Sequence, residues 1–241
     1  MKKGVIVTGV GKGIGRQILN YFIEKEIFVY GITRNKKDIL DLLNNKYCKI
    51  YISDIRKINV VKKILKHSIK KKIEINGMIN NAGIRQRISF DKLTNYNLKK
   101  VFDINFFSIF KIMKIYFSYC KKYKIKSSIV NIGSIVGSVG FENLSGYSAT
   151  KGALNSLTRS FAVEAAQYNI RANVVEPGFI KTSYYEKFRK TPLYKWTLSR
   201  IPMKRWGESL EISKLVYFLY SSDSSYITGE TIAVDGGWKN S

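Results

Sequence analysis

Short β-branched runs take turns with helix-patterned segments along almost the whole chain, and that alternation leaves few folds open. Strand-like runs fall at 3–8, 27–33, 48–53, 75–79, 127–132, 170–175 and 231–234. Between them, helix-like segments run over 16–25, 56–72, 95–122, 145–168 and 208–221. Strands separated by helices do not pair as hairpins. They build parallel βαβ units, and a series of such units makes a doubly wound α/β sheet with helices on both faces. No internal repeat, low-complexity tract or linker interrupts the pattern, so 1–241 is expected to be one domain.

The first strand runs into Thr8-Gly9-Val10-Gly11-Lys12-Gly13-Ile14-Gly15, and a helix begins at Arg16. Glycines let backbone N–H groups approach a ligand, and a helix N-terminus favours negative charge, so this unit is a candidate phosphate cradle. Its spacing is Gly9-x-x-x-Gly13-x-Gly15 rather than the dinucleotide pattern Gly-x-Gly-x-x-Gly. The second strand ends in Thr33-Arg34. In dinucleotide-binding sheets an acidic residue at that place holds the adenosine ribose hydroxyls. Here Arg34 stands there instead, and Lys12 lies in the glycine turn. Two cations near a ribose suit a 2′-phosphate, so the expected cofactor is NADP(H), with NAD(H) the weaker fit. The competing explanation is that Arg34 is one more surface cation in a basic protein.

A second constellation lies in Ser145-Gly146-Tyr147-Ser148-Ala149-Thr150-Lys151, at the start of a helix-patterned segment. Residues four apart share one helix face, so the Tyr147 phenol and the Lys151 ammonium can point into one site. A phenol normally loses its proton near pH 10, and a fixed positive charge beside it lowers that value. Tyr147 with Lys151 is therefore a candidate proton donor to a developing alkoxide. Taken alone, the same spacing occurs by chance on many helices.

Charge enters as a competing explanation. Lys and Arg number 42 against 17 Asp and Glu, a net +25. Such a balance points first to nucleic acid. The lysines, however, are spread over the polar sides of helix-like segments, at 62–63, 70–72, 99–100 and 121–122 among others. The expectation is a solvated basic surface that attracts anionic substrates or an acidic carrier protein, with no nucleic-acid partner. Two cysteines, Cys48 and Cys120, and one histidine, His67, give no metal-ligand spacing and exclude Ser-His-Asp chemistry. Both cysteines are expected to pack, and His67 to be solvated. No run approaches a membrane span, and Gly4-Val5-Ile6-Val7 is too short for a signal core, so a cytoplasmic protein is expected.

Taken together, Thr8-Gly9-x-x-x-Gly13-Ile14-Gly15, Asn80-Asn81-Ala82-Gly83, Asn105, Ser134, Tyr147-x-x-x-Lys151, Pro177-Gly178-x-Ile180-x-Thr182 and Asp235-Gly236-Gly237 occur in order, each near a strand end or helix start. In this the chain resembles the short-chain dehydrogenase/reductase family over essentially its whole length. Within that family it is most like the 3-oxoacyl-acyl-carrier-protein reductase group, to which Asn173-Val174-Val175 and Ile201-Pro202-Met203-Lys204-Arg205 also fit. The resemblance implies a Rossmann-type three-layer α-β-α sandwich with a mostly seven-stranded parallel sheet, and usually a homotetramer.

It also implies roles. Tyr147 is the general acid for ketone reduction, Lys151 lowers its pKa and holds the nicotinamide ribose, Ser134 polarises the carbonyl, and Asn105 holds a proton-relay water. Gly9, Lys12, Gly13, Ile14, Gly15, Arg34, Asn81, Ala82 and Gly83 border the cofactor, Asp54 and Ile55 meet its adenine, and Pro177, Gly178, Ile180 and Thr182 meet its nicotinamide amide. The stretch 179–205 resembles the family's mobile substrate lid.

Three departures bear on the substrate. Leu144 stands where that group commonly has Gln, Glu176 stands before Pro177 where Ala is usual, and Arg85 and Arg87 follow the Asn-Asn-Ala-Gly motif as in relatives acting on sugar acids or polyols. The lid adds Lys181, Lys187, Arg189 and Lys190 among Tyr184, Tyr185, Phe188, Tyr194 and Trp196. The expected activity is NADP(H)-dependent reduction of a ketone, on a small or carrier-bound substrate. A sugar, sugar-acid or polyol dehydrogenase is the alternative, and a redox sensor without turnover a second.

Overall fold

The structure is a computed structural model that describes residues 2–183 and 185–241. Tyr184 therefore lies outside the described residues. In chain order the elements are β1 (Lys2–Thr8), α1 (Gly13–Glu24), β2 (Phe28–Thr33), β3 (Cys48–Ile52), α2 (Asn59–Lys70), β4 (Ile73–Asn80), α3 (Asn95–Phe102), α4 (Ser108–Tyr123), β5 (Ser127–Ile132), α5 (Ser145–Ala166), β6 (Ile170–Pro177), β7 (Ile180–Lys181), α6 (Tyr185–Phe188), α7 (Pro192–Arg200), β8 (Gly207–Glu208), α8 (Ser209–Tyr220) and β9 (Thr231–Val234). Seven strands form one sheet in the order β3-β2-β1-β4-β5-β6-β9, every pair parallel. This is the Rossmann-type α-β-α sandwich that the alternation and the motifs imply.

Alternation within the strands builds the two cores. In β1, Ile6 faces a core made with α2, α4 and α5, while Val5 and Val7 face a second core made with α1 and α8. All three are fully buried. Burying each such side chain contributes about 1.5–3 kcal/mol relative to exposure. Because β1 lies between β2 and β4, the chain reverses its winding there, and a crevice opens outside the carboxyl ends of β1 and β4. Thr8, Thr33, Asn80 and Ile132 all end strands on that edge.

Three parts of the chain differ from the periodicity reading. The segment expected as one helix over 95–122 is α3 and α4 joined by a π-helical turn, Asp103–Phe107, centred on Asn105. The amide of Ser108 bonds the carbonyl of Asp103, five residues back. Second, residues Lys36–Leu42, which carry no strand or helix period, form 3-10 turns that fold back under the end of β2. Third, 179–205 shows no core periodicity in sequence, yet holds α6, α7 and β7, which pairs with β8 just beyond it. It has its own aromatic core, in which Trp206, 4% exposed, meets Phe179, Tyr185, Phe188 and Tyr194 with ring centroids 5.0–5.7 Å apart. A cluster built around one large indole does not need apolar residues at every third or fourth position.

Cys120 is buried in the first core and Cys48 is half-buried, as packing residues would be. His67 is not simply solvated: its Nδ1 lies 3.1 Å from the buried Tyr30 hydroxyl. Among the described residues, no helix is long and apolar enough to cross a membrane.

Candidate active site

The glycine turn after β1 is held by Thr8 and Asn81. The Thr8 hydroxyl accepts from the amides of Asn81 and Ala82, both at 3.0 Å, and Asn81 Nδ2 donates to the carbonyls of Thr8 and Gly9, both at 3.1 Å. This fastens the Asn81-Ala82-Gly83 turn to the cradle. Two glycines are required by close approach. A Cβ on Gly15 would stand 2.1 Å from the Gly9 carbonyl oxygen, and one on Gly9, at φ +76°, would stand 2.9 Å from Ala82 Cα. The first turn of α1 has no side-chain cap and no acid, so its amides are free to face an anion.

A groove of about 250 Å³ runs along this edge, lined by Gly9, Lys12, Arg34, Asp54, Ile55, Asn81, Ala82 and Gly83 among others. These eight of the expected cofactor residues thus share one surface. Thr182 reaches the glycine turn at Gly13, where a Cβ would lie 3.5 Å from Thr182 Cγ2. Pro177 and Gly178 end β6 beside Val234, and Ile180 is buried. A glycine cradle, bare helix amides and two cations along the groove fit a phosphorylated dinucleotide.

Two groove residues bear on cofactor choice. No acid stands at the end of β2, as expected, but Asp38 comes back into the groove from the turn that follows. Its carboxylate accepts from Asn35 Nδ2 at 3.3 Å. Nothing in the hydropathy pattern announces that return; only the Asn35 at a turn start hints at it. Asp54 is committed to Arg56, which bonds both carboxylate oxygens at 3.0 and 2.8 Å and holds its pKa below the ordinary range.

Beside the groove, Ser134 follows β5 and Tyr147 and Lys151 rise from the first turns of α5. Ser134 stands beside the Tyr147 phenol, whose ring packs against the cluster that holds Ile135 and Val136, and its Oγ accepts from the Val136 amide at 3.4 Å. Burial raises the phenol pKa, opposed by Ser134 and by the charge of Arg85. Lys151 is not among the causes of that shift. Lys151 is 4% exposed, its Nζ donates to the Ile132 carbonyl at 2.7 Å, and it lies 5.8 Å from the centroid of the Tyr147 ring. Burial brings its own pKa down to about 8.

Asn105 is fully buried. Its Oδ1 accepts from the Ile84 amide at 2.9 Å, and its Nδ2 donates to the Ile84 carbonyl at 2.9 Å and to Thr150 Oγ1 at 3.3 Å. Both amide hydrogens are so bonded, and this side chain clamps the 81–84 turn to α5.

Arg85 and Arg87 are exposed, and Arg85 is near enough for its charge to act on Tyr147. Of the lid cations, Lys181 is paired with Glu208 at 2.6 Å and Arg189 with Glu186 at 2.7 Å, whereas Lys187 and Lys190 are exposed.

A parallel sheet with a phosphate cradle at its winding reversal, and a Ser-Tyr-Lys cluster beside it, defines a nucleotide-dependent oxidoreductase. Known proteins agree. A family model described as Enoyl-(Acyl carrier protein) reductase matches residues 9–239. The 3-oxoacyl-[acyl-carrier-protein] reductase FabG of Buchnera aphidicola (subsp. Schizaphis graminum) is 37% identical over 240 residues, covering 98% of this chain and 97% of that protein. Among solved structures, 4-hydroxyisoleucine dehydrogenase complexed with NADH matches with a TM-score of 0.93 at 29% identity, covering 100% of both chains. ElxO with NADP bound matches at 0.91 and 31% identity, again covering 100% of both. The chain belongs to the short-chain dehydrogenase/reductase family and is an NAD(P)-dependent oxidoreductase acting on CH–OH and C=O groups.

Proposed function

We propose that the enzyme reduces a ketone to a secondary alcohol with NADP(H), on a 3-oxoacyl substrate carried by a thioester or on a small ketone with an anionic end. The observation that carries this reading is the gathering of Ser134, Tyr147 and Lys151 beside the cofactor groove, with Ser134 next to the phenol and the buried Lys151 Nζ on the Ile132 carbonyl. Bound nicotinamide would supply the hydride. The two hydroxyls can bind one carbonyl oxygen, and Tyr147, which keeps its proton at neutral pH, donates it as negative charge develops there. Lys151, with its pKa at about 8, is close to neutral pH and so able to pass a proton on. Gly9, Gly13, Ile14 and Gly15 carry the phosphates, and Lys12 and Arg34 favour a 2′-phosphate. Solved neighbours bound to NADP and to NADH both exist, and Asp38 is the residue that would serve the second.

The FabG relative supports the carrier-bound substrate. Arg85 supports a second reading, a sugar acid or related polar ketone, because its charge reaches the reacting phenol. In either case 179–205 closes the substrate side, and the setting is the cytoplasm. Phe107 in the π-helical turn, Phe110 on α4 and Val163 on α5 stay 43%, 42% and 80% exposed, and a homotetramer built through this face would cover them. Ile104, Ile109, Ile112 and Met113 are not available for that contact, since the monomer buries them.

The test is a panel of a 3-oxoacyl thioester, a neutral β-ketoester and a keto sugar acid, each with NADPH and NADH. Tyr147-dependent oxidation of NADPH by at least one is expected. No turnover on any, or turnover untouched by loss of Tyr147, would overturn the reading.

A further inference from the structure

Glu176 has no part in the chemistry above, yet it lies directly behind it. It precedes Pro177 at the end of β6 and has no exposed surface. A Cβ on Gly133, the neighbour of Ser134, would stand 3.2 Å from Glu176 Cγ. A carboxylate buried this deeply is costly unless it is paired and hydrogen-bonded. Here it is both. The Ser138 hydroxyl lies 2.8 and 3.0 Å from its two oxygens, Asn155 Nδ2 donates to Oε1 at 2.7 Å, and Lys239 Nζ donates to Oε2 at 3.0 Å.

Those three partners come from three parts of the chain that border the reacting groups. Ser138 closes the turn that Ser134 opens: the Gly137 amide bonds the Ser134 carbonyl at 2.8 Å, and the Ser138 amide bonds that of Ile135 at 3.0 Å. The middle of the same turn is tied to α5 by the Ser148 hydroxyl, which bonds the Val136 carbonyl. Asn155 stands one helical turn beyond Lys151 on the same face of α5. Lys239 belongs to the C-terminal segment, whose Trp238 meets Phe141 and Phe179 at centroid distances of 5.7 and 4.9 Å on the substrate side. One carboxylate thus joins the serine turn, the lysine helix and the wall of the substrate site. A small apolar residue in its place would leave Ser138, Asn155 and Lys239 without this acceptor.

We propose that Glu176 is a positioning residue: with Lys239 as its counter-charge, it fixes the 134–138 turn and so the direction of the Ser134 hydroxyl toward Tyr147. The proposal rests on the reading of Ser134 as a carbonyl-binding group. Loss of the anchor lets the hydroxyl drift without disturbing the cradle at the end of β1, three strands from β6 in the sheet.

The test is a double-mutant cycle of Glu176→Ala with Ser134→Ala, with kcat expressed per cofactor site titrated by NADPH fluorescence. Glu176→Ala should lower kcat per site about ten-fold or more and leave the NADPH Kd within about two-fold. In the Ser134→Ala background the same change should cost no more than about two-fold, because the group it positions is gone. A purely structural role would instead reduce the number of titrated sites, or give the same loss in both backgrounds. Ser138→Ala, a milder change to the same turn, should repeat the pattern and decides the matter if Glu176→Ala does not fold. Unchanged kcat in Glu176→Ala and Ser138→Ala, or a full loss that persists without Ser134, overturns the proposal. If Ser134→Ala alone leaves turnover intact, the reading of the site fails instead.

Discussion

Replacing Lys151 by Met should make the protein more stable and nearly inactive. Lys151 is 4% exposed and its pKa falls from the ordinary 10.5 to about 8. The cause is burial, which disfavours the charged form. At roughly 1.4 kcal/mol for each pH unit, the difference costs the folded state about 3 kcal/mol whenever the lysine is charged in both states. Met fills a similar volume without charge but loses the hydrogen bond to Ile132, worth about 1 kcal/mol. The net gain is about 2 kcal/mol at pH 7, or roughly 4–8 °C in Tm for a chain of this size.

The sign with pH follows from proton counting. Between about 8 and 10.5 the unfolded chain holds the lysine proton and the folded chain has released it, so the wild type gains stability as pH rises through that window. The advantage of Lys151→Met should therefore shrink above pH 8 and reverse by pH 10.5, leaving the mutant about 1 kcal/mol less stable. Urea denaturation at several pH values reads this directly, and NADPH oxidation reads the activity, expected to fall about 100-fold or more. A mutant less stable at pH 7, with a deficit that does not depend on pH, would show that Lys151 is not held as a desolvated cation.

Other outcomes follow from the cofactor groove and its rim. Gly15→Ala should weaken NADPH binding by about ten-fold or more and lower the Tm, since its Cβ would overlap the Gly9 carbonyl at 2.1 Å; unchanged fluorescence titration would contradict the cradle geometry. Arg34→Asp should swing the kcat/KM ratio from NADPH toward NADH by about ten-fold or more, the worth of one charge-assisted hydrogen bond; an unmoved ratio would assign cofactor choice elsewhere in the groove, with Asp38 the first residue to test. Arg85→Ala should raise KM for an anionic ketone about ten-fold, less so in added salt, and leave a neutral ketone unaffected. Equal losses on both substrates would make Arg85 structural.

Much of the fold is legible in the sequence because its signals are local. Gly4-Val5-Ile6-Val7 can only be a strand covered on both sides, and a glycine turn after it followed by a helix places the cradle before any tertiary contact is known. Tyr147 and Lys151 stand out by helical spacing, which a helix honours wherever it packs. What escapes depends on where the chain returns. Asp38 enters the groove because 3-10 turns fold back beneath β2, and no periodicity records that. Trp206 gathers Phe179, Tyr185, Phe188 and Tyr194 from two helices and one turn, so this aromatic core has no repeat to read. The direction of the Tyr147 pKa escapes for a related reason: spacing brings Lys151 near, but its Nζ turns to the Ile132 carbonyl, and burial of the phenol sets the direction. The clamp made by Asn105 is likewise a matter of where Ile84 passes, a contact between residues 21 apart in the chain.

The central claim is that Tyr147 donates the proton in a reduction whose cofactor the glycine cradle holds. Tyr147→Phe keeps the ring and removes only the hydroxyl, so the measurement is single-turnover oxidation of bound NADPH by a saturating ketone. The account predicts a fall of about 10²–10⁴ in that rate, with the NADPH Kd unchanged within about two-fold. Reduction by Tyr147→Phe at close to the wild-type rate would contradict it.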